Sequence, residues 1–364
     1  MAGNDNTPQN DLQILRDAYE STLSWKLTRP LRSIGAVVRP GDADEPWMHT
    51  GIPVSHKAAD YTSWLAHFFG PELNRIEAEL EGVGTESPES YRHFRGVDDD
   101  LWAVLLTREY DGYPNIRGLL PDVPKPELQV MWNGAIGLEL LNQSKNFYAK
   151  VKRLQREHSD VKLEDSRVLD LGVGWGRLIR FFAKDIEPGS LIGLDPTERI
   201  LEVCRESRVP AVLKKCDFVP ESLPLDERID LAFSFSVFTH ISERAHRACL
   251  EAVHASLNPG GLFVVTVRPP AYLDFDHLLA PARAELGEDL VEESSEPRYL
   301  FVPHPVEDGH PQYDGGDMTY GDTVITLPYI RENWTDLFDI VDISMLTGDM
   351  YQVAITLKRR ETGE

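Results

Sequence analysis

Cysteine is scarce in this chain of 364 residues, and basic side chains are fewer than acidic ones. The three cysteines, Cys204, Cys216 and Cys249, are too few and too irregularly spaced for a disulfide framework or a cysteine-rich zinc site. We predict that they are buried small apolar side chains in a reducing compartment. Lysine and arginine total 37 against 60 aspartates and glutamates, a formal charge of −23 that repels a phosphate backbone. Nucleic acid is therefore not expected as a partner.

Long apolar runs are missing as well. No stretch approaches the ~18 apolar residues that a membrane-spanning helix needs. The first ten residues lack both the basic start and the apolar core of a signal peptide. We therefore expect a cytoplasmic protein without an integral membrane segment. Hydrophobic residues make up 41% of the chain and charged residues 27%, which is typical of a globular protein with a buried core.

The acidic charge is concentrated near the C-terminus. The formal charge is −8 over residues 1–150, −1 over residues 151–268 and −14 over residues 269–364. If the last of these segments lies at the entrance of a substrate site, its charge favours a neutral or cationic substrate over a polyanionic one.

The first 130 residues are predicted to be mostly helical and irregular. Apolar residues recur at helical spacing in four segments of the N-terminal half, at about 11–27, 57–82, 98–109 and 135–158. The proline- and glycine-rich stretch 111–127 is predicted to be a loop. We expect an N-terminal region, 1–130, that serves oligomerisation or acceptor binding, and a second domain over 131–364.

From Ser166 onward, strands alternate with helices, which predicts an α/β fold with a parallel sheet covered on both faces. Five strands are predicted at 167–171, 191–194, 211–215, 229–235 and 262–267. Two final strands, 340–345 and 351–357, are separated by too few residues for a crossover, so they must form an antiparallel hairpin. A polar insertion at about 270–320 precedes them.

A glycine-rich turn, Gly172-Val173-Gly174-Trp175-Gly176, connects the first strand to a helix. Glycines allow a ligand close to the backbone, and the helix start offers unpaired N–H groups, so this pattern is typical of a nucleotide-cofactor site. Asp195 ends the second strand about 20 residues later, where an acidic residue can bind a ribose diol. The alternative for Asp195 is an N-cap of the next helix. The third glycine comes one residue earlier than in the dinucleotide pattern.

Together with the Asn258–Gly261 turn and the terminal hairpin, these features resemble the class I methyltransferases over about residues 166–358. The resemblance implies a Rossmann-like, seven-stranded sheet that uses S-adenosyl-L-methionine and yields S-adenosyl-L-homocysteine. It also implies that the glycine turn passes under the methionyl part of the cofactor and that Asp195 holds the ribose. Asp217 would then meet the adenine amine, with Phe218 beside the ring.

Three further side chains are candidates for the cofactor pocket. Asp170 would orient the glycine turn or reach the methionine ammonium, and the alternative is a carboxylate satisfied by loop N–H groups. Trp175 would line the pocket or pack under the helix that follows. Ser234, at the end of the fourth strand, is a candidate cofactor contact.

Candidate catalytic residues come after the fourth strand and near the end of the insertion. Active groups in open parallel sheets lie beyond the carboxyl ends of the strands, and a histidine such as His240 titrates near neutrality. We predict that His240 deprotonates or orients the acceptor, and the alternative is a structural histidine. Tyr320 and Asp322 are further candidates, in a glycine-rich segment whose composition suits a substrate-binding lid, and the alternative is a solvated acidic loop. No carboxylate cluster follows the fourth strand, so no metal ion is predicted.

Two resemblances concern the acceptor. Residues 24–32 resemble a short segment of bacterial polysaccharide glycosyltransferases. Residues 320–324, the helix with Trp334 and the strand that begins at Tyr351 resemble methyltransferases encoded with surface-glycan assembly systems. They imply O-methylation of a sugar hydroxyl in a bacterial cell-surface polysaccharide or its precursor.

Several alternatives remain open on the sequence alone. They are a small-molecule O- or N-methyltransferase of secondary metabolism, a cofactor-binding scaffold without catalysis, and an NAD-dependent oxidoreductase. The side chains of Trp25, Lys26, Arg29 and Arg32 would suit a phosphate or an anionic membrane surface, with a solvated helix end as the alternative. Peripheral membrane association and homo-oligomerisation are both compatible with the pattern.

Overall fold

The computed structural model describes residues 65–83, 88–133, 135–275, 279–285, 292, 294–304, 313–314, 317–346 and 352–360. They belong to one compact unit, Tyr61–Glu364. The helix predicted at 11–27 and the four side chains Trp25, Lys26, Arg29 and Arg32 lie outside the described residues. So do Tyr351 and parts of the predicted insertion, namely 276–278, 286–291, 293, 305–312 and 315–316.

The described strands are, in chain order, β1 (Val168–Leu171), β2 (Leu191–Asp195), β3 (Val212–Lys215), β4 (Ile229–Ser234), β5 (Leu257–Val267), β6 (Tyr299–Pro303), β7 (Tyr313–Asp314), β8 (Asp317–Met318), β9 (Gly321–Ile325), β10 (Phe338–Met345) and β11 (Val353–Arg359). Seven of them form one sheet in the order β10-β11-β5-β4-β1-β2-β3. The first five strands pair in parallel, and β11 pairs antiparallel with both β10 and β5. The predicted α/β, Rossmann-like sheet with a terminal antiparallel hairpin is therefore confirmed.

The described α-helices are α1 (Gly70–Glu79), α2 (Asp99–Thr107), α3 (Pro114–Leu119), α4 (Pro126–Asn133), α5 (Gly137–His158), α6 (Ile179–Phe182), α7 (Glu198–Glu206), α8 (Glu243–Ser256), α9 (Ala280–Glu285) and α10 (Leu327–Asn333). The prediction that 111–127 is a loop was wrong in part, because α3 lies within it and α4 begins at its end. Proline at the first helical position removes only an N–H that has no partner within the helix, so Pro114 starts α3 without cost to its hydrogen bonding.

The central strand β1 shows why the sheet forms where it does. All four of its residues are buried, as expected of a parallel strand with helices on both faces. Its register pairs Val168 with Leu191 of β2 and with Leu231 of β4. Asp170 is therefore a carboxylic acid in the middle of a buried strand, an exception to the apolar pattern.

The helices before β1 pack against the helix that follows the glycine turn. Trp102 donates its indole N–H to the carbonyl oxygen of Phe181 at 3.1 Å, and Lys184 donates to the carbonyl oxygen of Val97 at 2.8 Å. Lys184 is also 2.8 Å from a carboxylate oxygen of Asp99. These bonds join residues on both sides of position 130, and the division into two domains there stays a prediction.

The end of the predicted insertion is a strand, β9, and it lies against the carboxyl ends of β4 and β5. It pairs antiparallel with β6, from Tyr299 opposite Ile325 to Pro303 opposite Gly321. Its Thr323 N–H donates to the carbonyl oxygen of Thr239 at 2.9 Å, and its Ile325 N–H donates to that of Arg268 at 3.1 Å. β9 thus brings Asp322 to the edge of the sheet where the glycine turn lies.

Cys204, Cys216 and Cys249 are free thiols and are buried. Within the described part of the chain, every helix is too short or too polar to cross a lipid bilayer.

Candidate active site

Three glycines after β1 adopt a backbone conformation that other residues rarely take, with φ of 81° at Gly172, 53° at Gly174 and 76° at Gly176. A Cβ at Gly172 would lie 2.3 Å from Val237, and one at Gly176 would lie 2.6 Å from Val209. A Cβ at Gly174 would meet nothing within 4 Å. Packing therefore excludes side chains at the outer two glycines, whereas the middle one leaves open space for a ligand.

Asp195 lies at the end of β2 and faces this turn. One carboxylate oxygen accepts the N–H of Thr197 at 2.9 Å, and the other accepts the N–H of Gly174 at 3.4 Å. Burial raises the pKa of Asp195 to about 6, and these N–H bonds oppose the rise. The N-cap of α7 is Thr197, so Asp195 lies two residues before the cap and the capping alternative does not hold. Its carboxylate instead joins the start of this loop to the glycine turn.

Asp170 is the least satisfied polar group of the site. It is 1% exposed, and neither of its carboxylate oxygens makes a hydrogen bond of standard geometry within the described chain, although the Ile179 N–H acts on it electrostatically. Burial raises the pKa of Asp170 well above its ordinary value, and the nearby Arg177 guanidinium opposes this rise. A buried carboxyl without a hydrogen bond costs free energy unless a ligand supplies one. The alternative of a carboxylate satisfied by backbone N–H groups is met only in part, by the Ile179 N–H.

The other predicted cofactor residues differ in burial. Asp217 is exposed and Phe218 is half-buried, directly after β3. The preceding N–H, of Cys216, donates to the carbonyl oxygen of Asp195 at 3.2 Å, which places the end of β3 beside the end of β2. Ser234 is fully buried, and its hydroxyl donates to the carbonyl oxygen of Leu171 at 2.9 Å, so it joins β4 to β1.

Trp175 is buried at the centre of the glycine turn. Its indole N–H donates to the side-chain oxygen of Asn133 at 2.8 Å, and the Arg180 guanidinium lies 4.6 Å from the ring centroid. These contacts support the packing role. The functions of Trp175, Ser234 and the other predicted site residues stay predictions.

The three predicted catalytic residues lie together in the structure: His240, Tyr320 and Asp322. Two further side chains, Arg268 and His304, which the sequence did not single out, contact them. We call these five residues the polar cluster. Asp322 accepts from Arg268 at 2.6 Å and from His304 Nε2 at 3.2 Å, and it lies 3.3 Å from His240 Nδ1. The Tyr320 ring stacks on His240 and meets His304 edge-on, with centroids 5.4 Å and 5.0 Å away.

The electrostatics of the polar cluster follow from these bonds. Burial by itself raises the pKa of Asp322, but hydrogen bonds from His240 and His304 and the Arg268 charge outweigh it, so the carboxyl pKa lies far below its usual range. Burial and the Arg268 charge lower the pKa of His240, against the opposing effect of Asp322. The expected ionisation is an anionic Asp322 beside a neutral His240.

The turn that follows β4 connects the polar cluster to the glycine turn. Val237, whose side chain fills the space above Gly172, accepts the backbone N–H of His240 at 2.8 Å. Ser236, just before it, has a φ of 61° and donates its N–H to the Thr266 hydroxyl at 2.7 Å. A strained non-glycine residue at this edge is the kind of feature that clusters at functional sites.

Of the two cluster residues that the sequence did not predict, Arg268 had a recognisable sequence feature and His304 had none. Arg268 directly follows β5, so the rule that active groups lie beyond carboxyl ends of strands could have selected it. His304 gave no signal, because its place in the cluster depends on the pairing of β6 with β9. Within the described ranges, no three or more histidine, cysteine, aspartate or glutamate side chains are arranged to hold a metal ion.

Comparison with known proteins agrees with this geometry. Residues 168–261 match the family described as "Methyltransferase domain", a segment that runs from β1 into β5 and holds the glycine turn and Asp195. This match supports a methyltransferase domain over that segment and is consistent with S-adenosylmethionine as its cofactor, whereas the predicted domain bounds, 131–364, stay a prediction. No curated protein matches the chain significantly.

Several solved structures are similar to part of the chain. A glycopeptide N-methyltransferase complexed with sinefungin is 15% identical, with 59% of this chain and 87% of that one covered and a TM-score of 0.38. Magnesium protoporphyrin IX methyltransferase from Synechocystis, with bound S-adenosylhomocysteine, is 14% identical over 64% and 91% of the two chains, with a TM-score of 0.40. An S-adenosylmethionine-dependent methyltransferase from Clostridium acetobutylicum is 14% identical over 65% and 97%, with a TM-score of 0.43.

Proposed function

We propose that the protein transfers a methyl group from S-adenosylmethionine to a hydroxyl of a sugar in a bacterial cell-surface polysaccharide or its precursor. The observation that carries the donor part is the buried, unsatisfied carboxyl of Asp170 next to a glycine turn with open space at Gly174. An ammonium group would satisfy that carboxyl. The methyltransferase family match over the same segment supports this interpretation.

The chain offers a group for each part of the cofactor. In this proposal Asp170 binds the methionine ammonium, Asp195 binds the ribose hydroxyls, and Asp217 and Phe218 bind the adenine. The cofactor, when bound, supplies a sulfonium methyl group that an acceptor takes in one displacement. The protein's task is then to hold the acceptor in line and to remove its proton, and positioning alone can lower the barrier by several kcal/mol.

The acceptor class rests on three considerations. Two resemblances link the sequence to glycan-associated proteins, and the formal charge of −14 over residues 269–364 favours an uncharged acceptor over a polyanion. The polar cluster contains two imidazoles, His240 and His304, which suit a hydroxyl acceptor because an alcohol must lose its proton. His240 as the base, together with Tyr320 and Asp322, is the catalytic assignment that the sequence predicts.

The experiment is a transfer assay with methyl-tritiated S-adenosylmethionine. The purified protein is incubated with polysaccharide, lipid-linked and small-molecule pools from the source organism, and each pool is counted. Label in the polysaccharide or lipid-linked pool is expected. Label only in the small-molecule pool would leave the methyltransferase standing and overturn the glycan acceptor.

A calorimetric titration separates the remaining alternatives. S-adenosylmethionine and S-adenosylhomocysteine are expected to bind, and NAD is not. Affinity for NAD alone would identify an oxidoreductase, whereas cofactor binding without label in any pool would identify a non-catalytic scaffold.

A further inference from the structure

We propose that His304, oriented by Asp322, is the base that takes the proton of the acceptor hydroxyl, and that His240 is a positioning residue. This inference rests on the proposed function, because it names the base of the same site. It follows from the hydrogen bonds that decide which imidazole nitrogen has a lone pair available.

The basic nitrogen of His240 is already occupied. Its Nε2 lies 3.1 Å from Nη2 of Arg268, and a guanidinium can only donate, so Nε2 must be the accepting nitrogen. Its Nδ1 lies 2.9 Å from the carbonyl oxygen of Gly321, which can only accept, so Nδ1 carries the proton. Both nitrogens of His240 are therefore engaged, and protonating Nε2 would set two cationic groups face to face.

His304 has the opposite arrangement. Its Nε2 lies 3.2 Å from Asp322, which is ionised, so Nε2–H is the donor and the lone pair lies on Nδ1. That Nδ1 accepts no hydrogen bond from the part of the chain that the structure describes. The side chain is 16% exposed, so a ligand can reach it, and the bond to Asp322 fixes its tautomer. A carboxylate behind a histidine is the arrangement that activates bases in other enzymes.

The position of His304 also suits this role. It directly follows β6, and its backbone N–H donates to the carbonyl oxygen of Tyr320 at 3.1 Å. Its ring meets the Tyr320 ring edge-on, and that ring stacks on His240. His240 in turn follows Val237, which covers Gly172. The polar cluster therefore lies at the same sheet edge as the glycine turn.

The proposed step balances as follows. A lone pair of the acceptor oxygen forms a bond to the methyl carbon, the carbon–sulfur bond breaks, and its electron pair stays on sulfur as a neutral thioether. The O–H proton moves to Nδ1 of His304, whose imidazolium charge Asp322 offsets. The products are a methyl ether and S-adenosylhomocysteine, and the proton passes from His304 to water.

The first test measures the tautomers and needs no acceptor. Nitrogen-15 NMR of histidine-labelled protein, assigned with His304→Gln and His240→Gln, distinguishes protonated Nδ1 from protonated Nε2 in each ring. We expect the proton on Nε2 in His304 and on Nδ1 in His240. A proton on Nδ1 of His304 would overturn the proposal.

The second test measures transfer of labelled methyl to the pool that the wild-type protein labels. His304→Gln keeps a donor for Asp322 but removes the base, so turnover should fall ~10²–10⁴-fold with S-adenosylmethionine affinity unchanged. Imidazole should restore part of the turnover in His304→Ala. His93, which pairs with Glu79 at 2.8 Å on the protein surface, offers the control variant His93→Gln, whose turnover should match wild type.

The outcomes separate this inference from the proposed function. Near-normal turnover in His304→Gln, with a large loss in His240→Gln, would overturn it and return the role of base to His240. If the wild-type protein binds no S-adenosylmethionine, the proposed function fails, while the NMR result still decides which imidazole is poised to accept a proton.

Discussion

Asp170 and Asp322 are both buried carboxyls of the candidate site, but they differ in their hydrogen bonds and in the direction of their pKa shifts. Asp170 has no hydrogen bond of standard geometry among the described residues, and burial raises its pKa. Asp322 receives bonds from a guanidinium and two imidazoles, and its pKa is lowered. In the proposed function the first binds a cationic group of the cofactor, and the second is the fixed anion of the polar cluster.

This difference suggests two parts of the site with different roles, one for binding a ligand and one for holding side chains in place. In the proposed function the cofactor supplies the hydrogen bond that Asp170 lacks, so this half of the site is expected to favour affinity over stability. The half with Asp322 is complete without a ligand, so it is suited to hold side chains in a fixed geometry. Substitutions in the two halves should therefore change stability and binding in different proportions.

The largest expected effect is the loss of the anion in the polar cluster. Asp322→Asn leaves Arg268 as a buried charge without its partner, so the free energy of unfolding should fall by about 3–5 kcal/mol. Denaturant titration measures it. The control is Asp339→Asn, which removes an exposed ion pair with Arg360 and should cost under about 1 kcal/mol. Equal, small losses in both variants would contradict the comparison.

The next effect is a dependence of stability on pH that comes from Asp195. Because folding raises the pKa of this carboxyl from 3.8 to about 6, its contribution to stability is fully present below pH 4 and is lost as the pH rises through 6. The rise corresponds to at most about 3 kcal/mol. Unfolding free energies of wild type and Asp195→Asn, measured between pH 4 and pH 7, should diverge in this sense, and parallel curves would refute the assignment.

Asp170→Asn should have effects of opposite sign on binding and on stability. S-adenosylmethionine affinity should drop about 10- to 100-fold, as expected for the loss of a charge-assisted hydrogen bond. The free energy of unfolding without ligand should stay level or rise, because a neutral amide is cheaper to bury than a carboxyl that ionises. Calorimetry and denaturation test the two signs separately, and a parallel loss of both would mean that Asp170 is satisfied by the protein itself.

The smallest expected effect compares two glycines with positive φ and open space. Gly174→Ala and Gly96→Ala each force alanine into the left-handed region, so each should cost about 1 kcal/mol of stability. Only Gly174→Ala adds a methyl group where the cofactor is proposed to pass, so only this variant should lose affinity. Equal affinities in the two variants would move the cofactor away from Gly174.

Much of the sheet could be predicted from the sequence, because strands and turns leave patterns among residues that are close together in the chain. The strands β1, β2 and β4 are short, mostly apolar runs bounded by turns, and the glycine turn and Asp195 are separated by a fixed spacing. The N-terminal limit of β5 was harder to place, because β5 starts at Leu257 and carries the Asn-Pro-Gly-Gly segment within its ladder. α3 was missed because Pro114 and Gly118 look like loop residues outside their helical context.

The polar cluster could be predicted only in part. His240 could be selected because it follows a strand, and Asp322 because of the composition of its segment. The contact of His240 with Gly321, next to Asp322, could not be predicted, because 81 positions separate the two residues in the sequence. Arg268 and His304 enter because β5 ends beside β4 and because β6 pairs with β9. Such long-range pairings leave no periodic trace along the chain.

By itself, the sequence determined the α/β sheet with its terminal hairpin, the glycine turn and the acidic residues that follow the first strands, since these depend on local periodicity and spacing. Only the tertiary structure decided that Asp170 is unsatisfied and that Asp322 is fully paired. Their hydrogen bonds, or the lack of them, depend on side chains that folding brings in from distant strands. The same packing decided which imidazole nitrogen, that of His304 rather than that of His240, is left with an available lone pair.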